Sequence, residues 1–336
     1  MDLRTNGPAL HRSWSHGAKS CPCRTAVLTQ RSRSDARLAA RRQCRRRTGM
    51  NVQLSVLMPA RDAESTIVTA LRSTLRSMPD DSEILVLDDA SRDGTAKAVR
   101  SVRDKRIRLT TSSKSLGVAT ALNELLSSSE AEFIARMDAD DISSPIRFIR
   151  QKRTIGGRDA IFASTVLFGS GSRLRVTPLA PLSPEGSIFA LLLGNPFAHS
   201  TMFARRRAVA EVSGYRSCMA EDYDLWMRMA GSGRRLARDW SPAVALRQHA
   251  TQVTAAAGWA DRAAAEPEWQ ESYGQLLRKI LPASVVSTVH ASVSASGTPA
   301  KKAVVIAPLL REHMQKLSTL DRLSIRLLAR REGVIL

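Results

Sequence analysis

LSVLMPARDAESTIVTALRSTLRS, residues 54–77, contains the unit that decides the fold. It opens on the near-continuous apolar run LSVLM, which is typical of a strand buried on both faces. Further along, apolar residues recur at Ile67, Ala70, Leu71 and Leu75, the spacing of one helix face. A buried strand followed directly by an amphipathic helix predicts one strand–helix unit of a parallel α/β sheet.

The same alternation repeats three more times along the chain. Strands are expected in SEILVLDDAS, RIRLTT and AEFIARMDADD, and the helices that follow them in DGTAKAVRSVR, SLGVATALNELLSSS and SPIRFIRQKRTI. Asp93 is a candidate N-cap for the first of these helices, and Pro145 suits the first turn of the last. The pattern predicts a Rossmann-like, mostly parallel sheet flanked by helices, with ligands bound outside the carboxyl ends of its strands.

Beyond residue 157 the pattern becomes less regular. DAIFASTVLFG and SRLRVTPLA are expected to pair as strands, PEGSIFALLLG and AEDYDLWMRMAGSG to form helices, and RRLARDWSPAVALRQH to form another strand pair. The remainder leans helical. We therefore divide the chain into a tail at 1–50, an α/β domain at 51–250 and a mainly helical C-terminal region at 251–336.

Positive charge is concentrated near the start of the chain. Residues 1–49 contain twelve Lys or Arg and two Asp, which supplies half of the net charge of +20. This Arg- and Ser-rich segment has little apolar periodicity, so we expect it to be a disordered basic tail. No run of about 18 apolar residues predicts a membrane span. Few cysteines lie beyond the tail, which favours a reducing, cytoplasmic setting.

An acidic cluster ends the fourth predicted strand. In FIARMDADDISSP, residues 133–145, Asp138, Asp140 and Asp141 fall within four positions. Such close carboxylates raise one another's pKa unless a cation neutralises them. Side chains alternate along an extended segment, so Asp138 and Asp140 point to one side. Mg²⁺ and Mn²⁺ favour these oxygen ligands and keep positions open for phosphate, which predicts a metal–diphosphate site. The competing interpretation is a turn before the next helix.

Five blocks of the sequence resemble glycosyltransferase family 2, the nucleotide-sugar-dependent enzymes of the GT-A fold. In order they are LSVLMPARDAESTIVTALRSTLRS, EILVLDDASRDGT, GVATALNELLSSSEAEFIARMDADD, AHSTMFARR and AEDYDLWMR, and they span about residues 52–250. The resemblance implies a GT-A domain with a helical C-terminal extension. It also implies an inverting enzyme that moves a sugar from a nucleotide-diphosphate sugar to a hydroxyl of a glycan or lipid-linked acceptor.

The resemblance implies a nucleotide site at the ends of the first two strands. Pro59, Ala60 and Asp62 would frame the base and ribose, mainly through their backbone. Asp89 would accept a hydrogen bond from the base ring, and Asp88 would support the turn. A loop cap for the helix that follows is the competing interpretation of the two adjacent aspartates.

The resemblance also distributes the phosphate-side roles. Asp138 would either reach the ribose or join the metal, which Asp140 or Asp141 would hold. His249 would supply a further metal ligand or a phosphate contact, and Arg247 would bind the diphosphate with both guanidinium arms. A surface loop is the alternative for these last two residues.

A second acidic pair opens a predicted helix at Glu221-Asp222. Inverting transfer needs a carboxylate that takes the acceptor proton opposite the leaving diphosphate, and Asp222 is our candidate for this base, with Glu221 beside it. A helix N-terminus favours the ionised form, although an acidic first turn is also common for purely structural reasons. The resemblance places His199 and Trp226 on the acceptor side; a structural histidine is the alternative for His199.

Two other functions remain open from the sequence. A nucleic-acid or anionic-surface binder would use the basic tail, but the rest of the chain does not interleave aromatic and basic residues. Nucleotidyl transfer to sugar phosphates would need a glycine-rich basic loop where PARDAES stands. We therefore expect no specific nucleic-acid partner, while the positive charge allows peripheral contact with the inner face of a membrane.

Overall fold

The structure is a computed structural model of the 336-residue chain. It describes residues 52–169, 174–177, 180–249, 258–281, 286–287, 289, 299–333 and 336. The predicted disordered tail lies outside the described residues. None of the described helices combines the length and the apolar character that crossing a membrane requires.

Four strand–helix units build the first half of the fold, as the apolar pattern predicts. The strands are β1 (Leu54–Ala60), β2 (Ser82–Asp89), β3 (Ile107–Ser112) and β4 (Phe133–Arg136). The helices are α1 (Ile67–Ser77), α2 (Thr95–Ser101), α3 (Val118–Ser128) and α4 (Arg147–Ile155), with the short strand β5 (Ile142–Ser143) before α4. All four long strands pair in parallel in the order β3-β2-β1-β4. Their carboxyl ends therefore share one edge of the sheet.

The second half of the sheet is mixed. Its strands are β6 (Ala160–Gly169), β7 (Arg175–Thr177), β8 (Phe203–Arg205) and β9 (Leu236–Gln248). Across the described residues the sheet runs β3-β2-β1-β4-β8-β6-β9-β5, with β7 paired to β6. Strand β8 is antiparallel to both β4 and β6, whereas β6 and β9 are parallel. The expected α/β fold is confirmed, with a parallel first half and a mixed second half.

One predicted strand pair is wrong. RRLARDWSPAVALRQH forms the single strand β9 instead of two strands joined by a turn. Its pairing with β6 changes register twice, between Phe162 and Thr165, where Pro242 lies opposite Ser164. Proline has no N–H to donate to a ladder, so it interrupts the pairing locally. The Ser-Pro sequence thus marks an irregularity within one strand.

The remaining helices cover the mixed half of the sheet. They are α5 (Pro184–Leu193), a 3₁₀ turn (His199–Thr201), α6 (Arg206–Ala210), α7 (Glu221–Gly231), α8 (Trp259–Ala265), α9 (Pro267–Leu277), α10 (Pro299–Met314) and α11 (Thr319–Arg331). The predicted helical C-terminal extension is therefore confirmed. Leu276, Leu310 and Ile325 from these last helices lie in the same buried cluster as Leu57 of β1. The C-terminal helices accordingly share their core with the sheet.

Buried polar contacts anchor α11 to the sheet. Asp321 accepts hydrogen bonds from the Ser183 N–H at 2.7 Å and from the Ser183 hydroxyl at 2.8 Å. The buried Arg238 guanidinium donates to the Ala180 carbonyl at 2.7 Å and to the Ser324 hydroxyl at 2.5 Å. Burial lowers the pKa of Arg238 to about 9. These contacts fix the first two turns of α11 against β9 and the residues just before α5.

Candidate active site

The loops that follow β1 and β2 are tied to each other. The Arg92 N–H donates to Asp62 Oδ1 at 2.8 Å, and the Asp62 N–H donates to the Ser91 hydroxyl at 3.0 Å. Asp62 itself takes a left-handed backbone conformation, with φ of 47°. Pro59 and Ala60 form the end of β1 directly before this turn. The structure thus brings the predicted nucleotide-side residues to one strand edge.

Asp89 holds the turn that leads into α3. It accepts hydrogen bonds from the N–H groups of Leu116 and Gly117, at 2.6 and 3.1 Å, and from the Ser115 hydroxyl at 3.0 Å. This is the supporting role that the resemblance implied for Asp88. Within the described residues, Asp88 accepts one hydrogen bond on its carboxylate, from the Ser91 N–H at 3.2 Å. These hydrogen bonds give Asp89 a role in holding the turn before α3, and its predicted contact with the base ring stays a prediction.

The three clustered aspartates converge as predicted. Oxygen atoms of Asp138, Asp140 and Asp141 lie within 4.8 Å of one another. Asp141 is buried, and its Oδ1 accepts the Arg247 N–H at 2.9 Å. Its Oδ2 is buried without a well-formed hydrogen bond in the described part of the chain. A buried, unsatisfied carboxylate oxygen beside two further carboxylates fits a hard divalent cation.

Burial and mutual repulsion of the carboxylates make the cluster a favourable place for a cation. Burial, and then the charge of Asp138, raise the pKa of Asp141 to about 7. The same two causes, in the same order, raise the pKa of Asp140. His249 reaches the cluster, with Nε2 at 3.3 Å from Asp140 Oδ2. Arg247 also contacts it, because its Nε donates to the Asp140 carbonyl at 3.1 Å. All five residues predicted for the phosphate side are thus neighbours.

The second acidic pair lies at the start of α7. Asp222 Oδ2 accepts from Asn195 Nδ2 at 3.0 Å, and its Oδ1 accepts the Tyr223 N–H at 2.6 Å. Burial raises the pKa of Asp222. Burial, and then the charge of Asp222, raise the pKa of Glu221 to about 7. Both groups therefore hold protons more tightly than free carboxylates, which suits proton transfer near neutral pH.

His199 is a buried neighbour of this pair. Its Nδ1 lies 3.8 Å from Glu221 Oε1, and its Nε2 shares a hydrogen bond of 3.0 Å with the Tyr215 hydroxyl. Burial, and then the charge of Arg136, hold the pKa of His199 well below its usual range. The imidazole is consequently neutral at physiological pH and orients its neighbours through hydrogen bonds.

The predicted acceptor contact of Trp226 is wrong. Its side chain is fully buried, with 0% exposure, and its ring meets Phe162 edge to face at 4.7 Å. On another side it packs against His199 at 5.7 Å. Trp226 lies four residues after Asp222, on a part of α7 that faces the core, so it supports His199 from behind.

Arg136 is the site residue that the sequence interpretation missed. It is buried at the end of β4 and forms an ion pair with Asp138. Burial lowers its pKa, but Asp138 and Asp141 more than offset this, so its pKa lies above the ordinary value. Its positive charge also acts on Glu221 and Asp222. The available signal was an arginine inside an apolar strand, two residues before Asp138.

This sheet, with a metal-type carboxylate cluster at its strand ends, is that of a GT-A glycosyltransferase. The family model for glycosyl transferase family 2 matches residues 55–214. The putative glycosyltransferase EpsE of Bacillus subtilis (strain 168) is 32% identical over 192 residues, which are 54% of this chain and 68% of EpsE. The chain belongs to glycosyltransferase family 2, and the enzyme class predicted from the sequence is confirmed.

Further comparisons extend this picture. The Escherichia coli UDP-Glc:alpha-D-GlcNAc-diphosphoundecaprenol beta-1,3-glucosyltransferase WfaP is 26% identical over 208 residues, 60% of this chain and 80% of WfaP. Residues 1–349 of S. aureus TarS, solved with UDP-GlcNAc, superpose with a TM-score of 0.57 at 17% identity, covering 82% of this chain and 79% of TarS. The mannosyltransferase PcManGT from Pyrobaculum calidifontis, solved with GDP-Man and Mn²⁺, gives 0.51 at 16% identity, covering 89% and 94%. These structures share the GT-A fold.

Proposed function

We propose that this enzyme transfers a sugar from a nucleotide-diphosphate sugar to an acceptor hydroxyl with inversion at the anomeric carbon. The observation that carries the proposal is the position of Arg136. Its buried charge acts on the Asp138–Asp141 cluster and on the Glu221-Asp222 pair alike. A diphosphate-binding group and a proton-accepting group near the same buried cation would suit a single displacement step.

The donor side is formed by the strand ends of the parallel half. Asp140 and Asp141 would hold Mg²⁺ or Mn²⁺, with His249 as a further ligand, because Arg136 already pairs with Asp138. A metal bound there would stabilise negative charge on the leaving diphosphate. Asp138 is then left for the ribose. PcManGT, with the same fold, was solved with Mn²⁺, which supports this assignment.

The nucleotide base would lie against the first two loops. Asp62 and the backbone of Pro59 and Ala60 line its approach, at the end of β1. Asp88 is the stronger candidate for the contact with the base ring, because Asp89 is engaged by the turn before α3. We therefore assign base recognition to Asp88.

On the acceptor side, Asp222 would act as the general base. Asn195 and the Tyr223 N–H hold its carboxylate in place. The acceptor oxygen loses its proton to Asp222 as it bonds to the anomeric carbon, and the bond to the nucleoside diphosphate breaks on the opposite face. Glu221, beside neutral His199, would keep the local potential negative and favour the proton transfer.

The acceptor class is proposed from relatives. WfaP, by its name, acts on a sugar attached to diphosphoundecaprenol. We extend this to a glycan or lipid-linked acceptor for the present chain. A net charge of +20 would favour peripheral contact with anionic lipid at the inner membrane face. The alternative of a nucleic-acid binder relies on residues 1–49, which lie outside the described residues, and no observation favours it.

Nucleotide binding with and without metal tests the proposal. Melting temperatures would be measured with UDP, GDP and dTDP, each with Mn²⁺, Mg²⁺ or chelator. At least one nucleotide should raise the melting temperature by roughly 5 °C at a hundredfold excess over its Kd, and only with metal. Asp140→Asn should lose the metal-dependent part, while the exposed control Asp80→Asn keeps it. Metal-independent binding, or none, would overturn the proposal.

A further inference from the structure

A cavity of about 630 Å³ opens beside the proposed base. Its lining includes Asp222 and Asn195 together with Trp259, Trp269 and Arg331. These last three residues come from the C-terminal helices α8, α9 and α11, beyond the residues 55–214 that the family model matches. The cavity is thus a feature that this chain builds with its own C-terminal extension.

Its aromatic wall is rigid. The rings of Trp269 and Tyr273 stack with centroids 4.7 Å apart, and Tyr223 meets Trp269 edge to face at 6.0 Å. The hydroxyls of Tyr223 and Tyr273 donate to the carbonyls of Leu191 and Leu192 at 2.5 and 3.0 Å. Because the last turn of α5 engages both hydroxyls, this wall offers mainly ring surface to an occupant.

The polar groups of the cavity are few and specific. The Trp259 indole N–H is buried without a hydrogen-bond partner in the described part of the chain. Arg331 pairs with Glu332 at 2.8 Å and donates to the Asn195 carbonyl at 3.1 Å. The arginine charge is therefore balanced locally, and Asp222 leaves the cavity with negative rather than positive potential.

We infer that this cavity binds the uncharged sugar of the acceptor whose hydroxyl is glycosylated, an inference that rests on the proposed function. A sugar ring has C–H groups on its faces, which match the aromatic wall, and hydroxyls at its rim. Those hydroxyls can donate to Asp222, which lines the cavity together with the Trp259 side chain. A pocket of mainly apolar lining with a few convergent polar groups is typical of such binding.

Two other occupants fit the cavity poorly. A phosphate or diphosphate would approach Asp222 and Glu332 without a free cation among the described lining residues to offset the repulsion. A hydrocarbon chain would cover Asp222 and the Arg331–Glu332 pair without hydrogen-bonding them, which is costly. The lipid and diphosphate portions of a lipid-linked acceptor would therefore lie outside the cavity, with only the sugar inside.

Saturation-transfer NMR on the full chain tests the assignment. The probes are methyl glycosides of glucose, galactose, mannose and N-acetylglucosamine, in the presence of UDP and Mn²⁺. At least one should bind the wild type through its C–H protons. Trp259→Ala should weaken that binding roughly tenfold, whereas Trp259→Phe, which keeps a ring face, should weaken it less. The matched control is Trp240→Ala, since Trp240 is 60% exposed and lies outside the cavity lining.

Three results would overturn the inference. The first is that no methyl glycoside binds the wild type. The second is that Trp259→Ala, with an unchanged melting temperature, binds the glycoside as tightly as Trp240→Ala does. The third is that octanol displaces the bound glycoside. Asp222→Asn separates this inference from the proposed function, because the amide keeps the shape of the cavity. If Asp222→Asn binds the glycoside and keeps full turnover, the general-base assignment of Asp222 is wrong, whereas the sugar-site assignment still holds. If no glycoside binds the wild type, the sugar-site assignment is wrong, and the result of the nucleotide–metal test is unaffected.

Discussion

The fold places carboxylates in two contrasting surroundings. Asp89 and Asp321 are buried, yet each accepts several hydrogen bonds from neighbouring loops. The carboxylate of the exposed Asp93 also accepts hydrogen bonds. The one from the Thr95 hydroxyl is the largest cause that lowers its pKa. In the crevice, by contrast, burial and mutual repulsion raise the pKa of Asp141 and Glu221 to about 7.

The two surroundings give carboxylate side chains two different roles, structural where they are hydrogen-bonded and chemical where they are crowded together. A carboxylate that accepts several N–H or O–H donors is stabilised as an anion and holds backbone in place. A carboxylate crowded by others in a dry crevice has excess negative potential, which a cation or a proton can relieve. Substitutions in the crevice should therefore reduce turnover, whereas substitutions of the hydrogen-bonded carboxylates should reduce stability.

The largest expected effect is on turnover in the crevice. Asp222→Asn preserves size and can still accept from Asn195, but it cannot take a proton, so kcat should fall roughly 10³-fold. Asp93→Asn, its control from the structural set, should retain turnover and lose little folding free energy, because the amide oxygen can still accept from the Thr95 N–H. Single-turnover kinetics and urea unfolding measure the two. A kcat within threefold of wild type for Asp222→Asn would show that another group is the base.

A smaller effect, on stability alone, is expected in the structural set. Asp321→Ala leaves the half-buried Ser183 N–H and hydroxyl without their acceptor and removes the anchor of α11, so the free energy of unfolding should fall by about 2 kcal/mol. Ser318→Ala, which removes only the hydroxyl that caps α11, should cost about 1 kcal/mol. Equal losses in the two variants, measured by urea unfolding, would mean that Asp321 acts only as part of the cap.

The smallest expected effect is a change in pH dependence. The pKa of Glu221 is about 7 in the folded chain, above its ordinary value of 4.5, so the folded state binds more protons between these limits. Stability contributed by this group is therefore present at low pH and lost as pH rises from about 4.5 to 7, by at most about 1.4 kcal/mol per pH unit.

Glu221→Gln should remove that slope. Melting temperature would be followed from pH 4.5 to 7.5 in metal-free buffer, with Glu185→Gln, an exposed glutamate, as the control. The Glu221 variant should lose less stability than wild type as pH rises, and the control should follow wild type. Parallel curves for all three proteins would show that Glu221 titrates as an ordinary surface carboxylate.

Much of the fold follows from local pattern. Each parallel strand of the first half is an apolar run followed by a helix with one apolar face, and these two periods identify β1 to α4 without tertiary information. Pro242 shows the limit of such reasoning, because a proline in a strand reads as a turn, although β6 supports an irregular single strand here. Local sequence does not specify which neighbouring strand keeps pairing on both sides of such a proline.

The candidate site was likewise predictable from the sequence only in part. The aspartate cluster and the Glu221-Asp222 pair are visible as motifs, since each lies within a few residues. The engagement of Asp89 by the turn at residues 115–117 is not, because it depends on contacts between residues far apart in the chain. Trp226 was misplaced because burial depends on which face of α7 meets the core, and the motif gives only its position along the helix.

The sequence alone determined the strand–helix order, the family and the residue types available for chemistry, because these depend on local periodicity and short motifs. Tertiary structure decided that Arg136 lies among both acidic groups and that α8, α9 and α11 close a cavity beside Asp222. Electrostatic coupling and cavity shape depend on distances between residues far apart in the chain. Those distances are set by how the sheet and helices pack, which local sequence does not encode by itself.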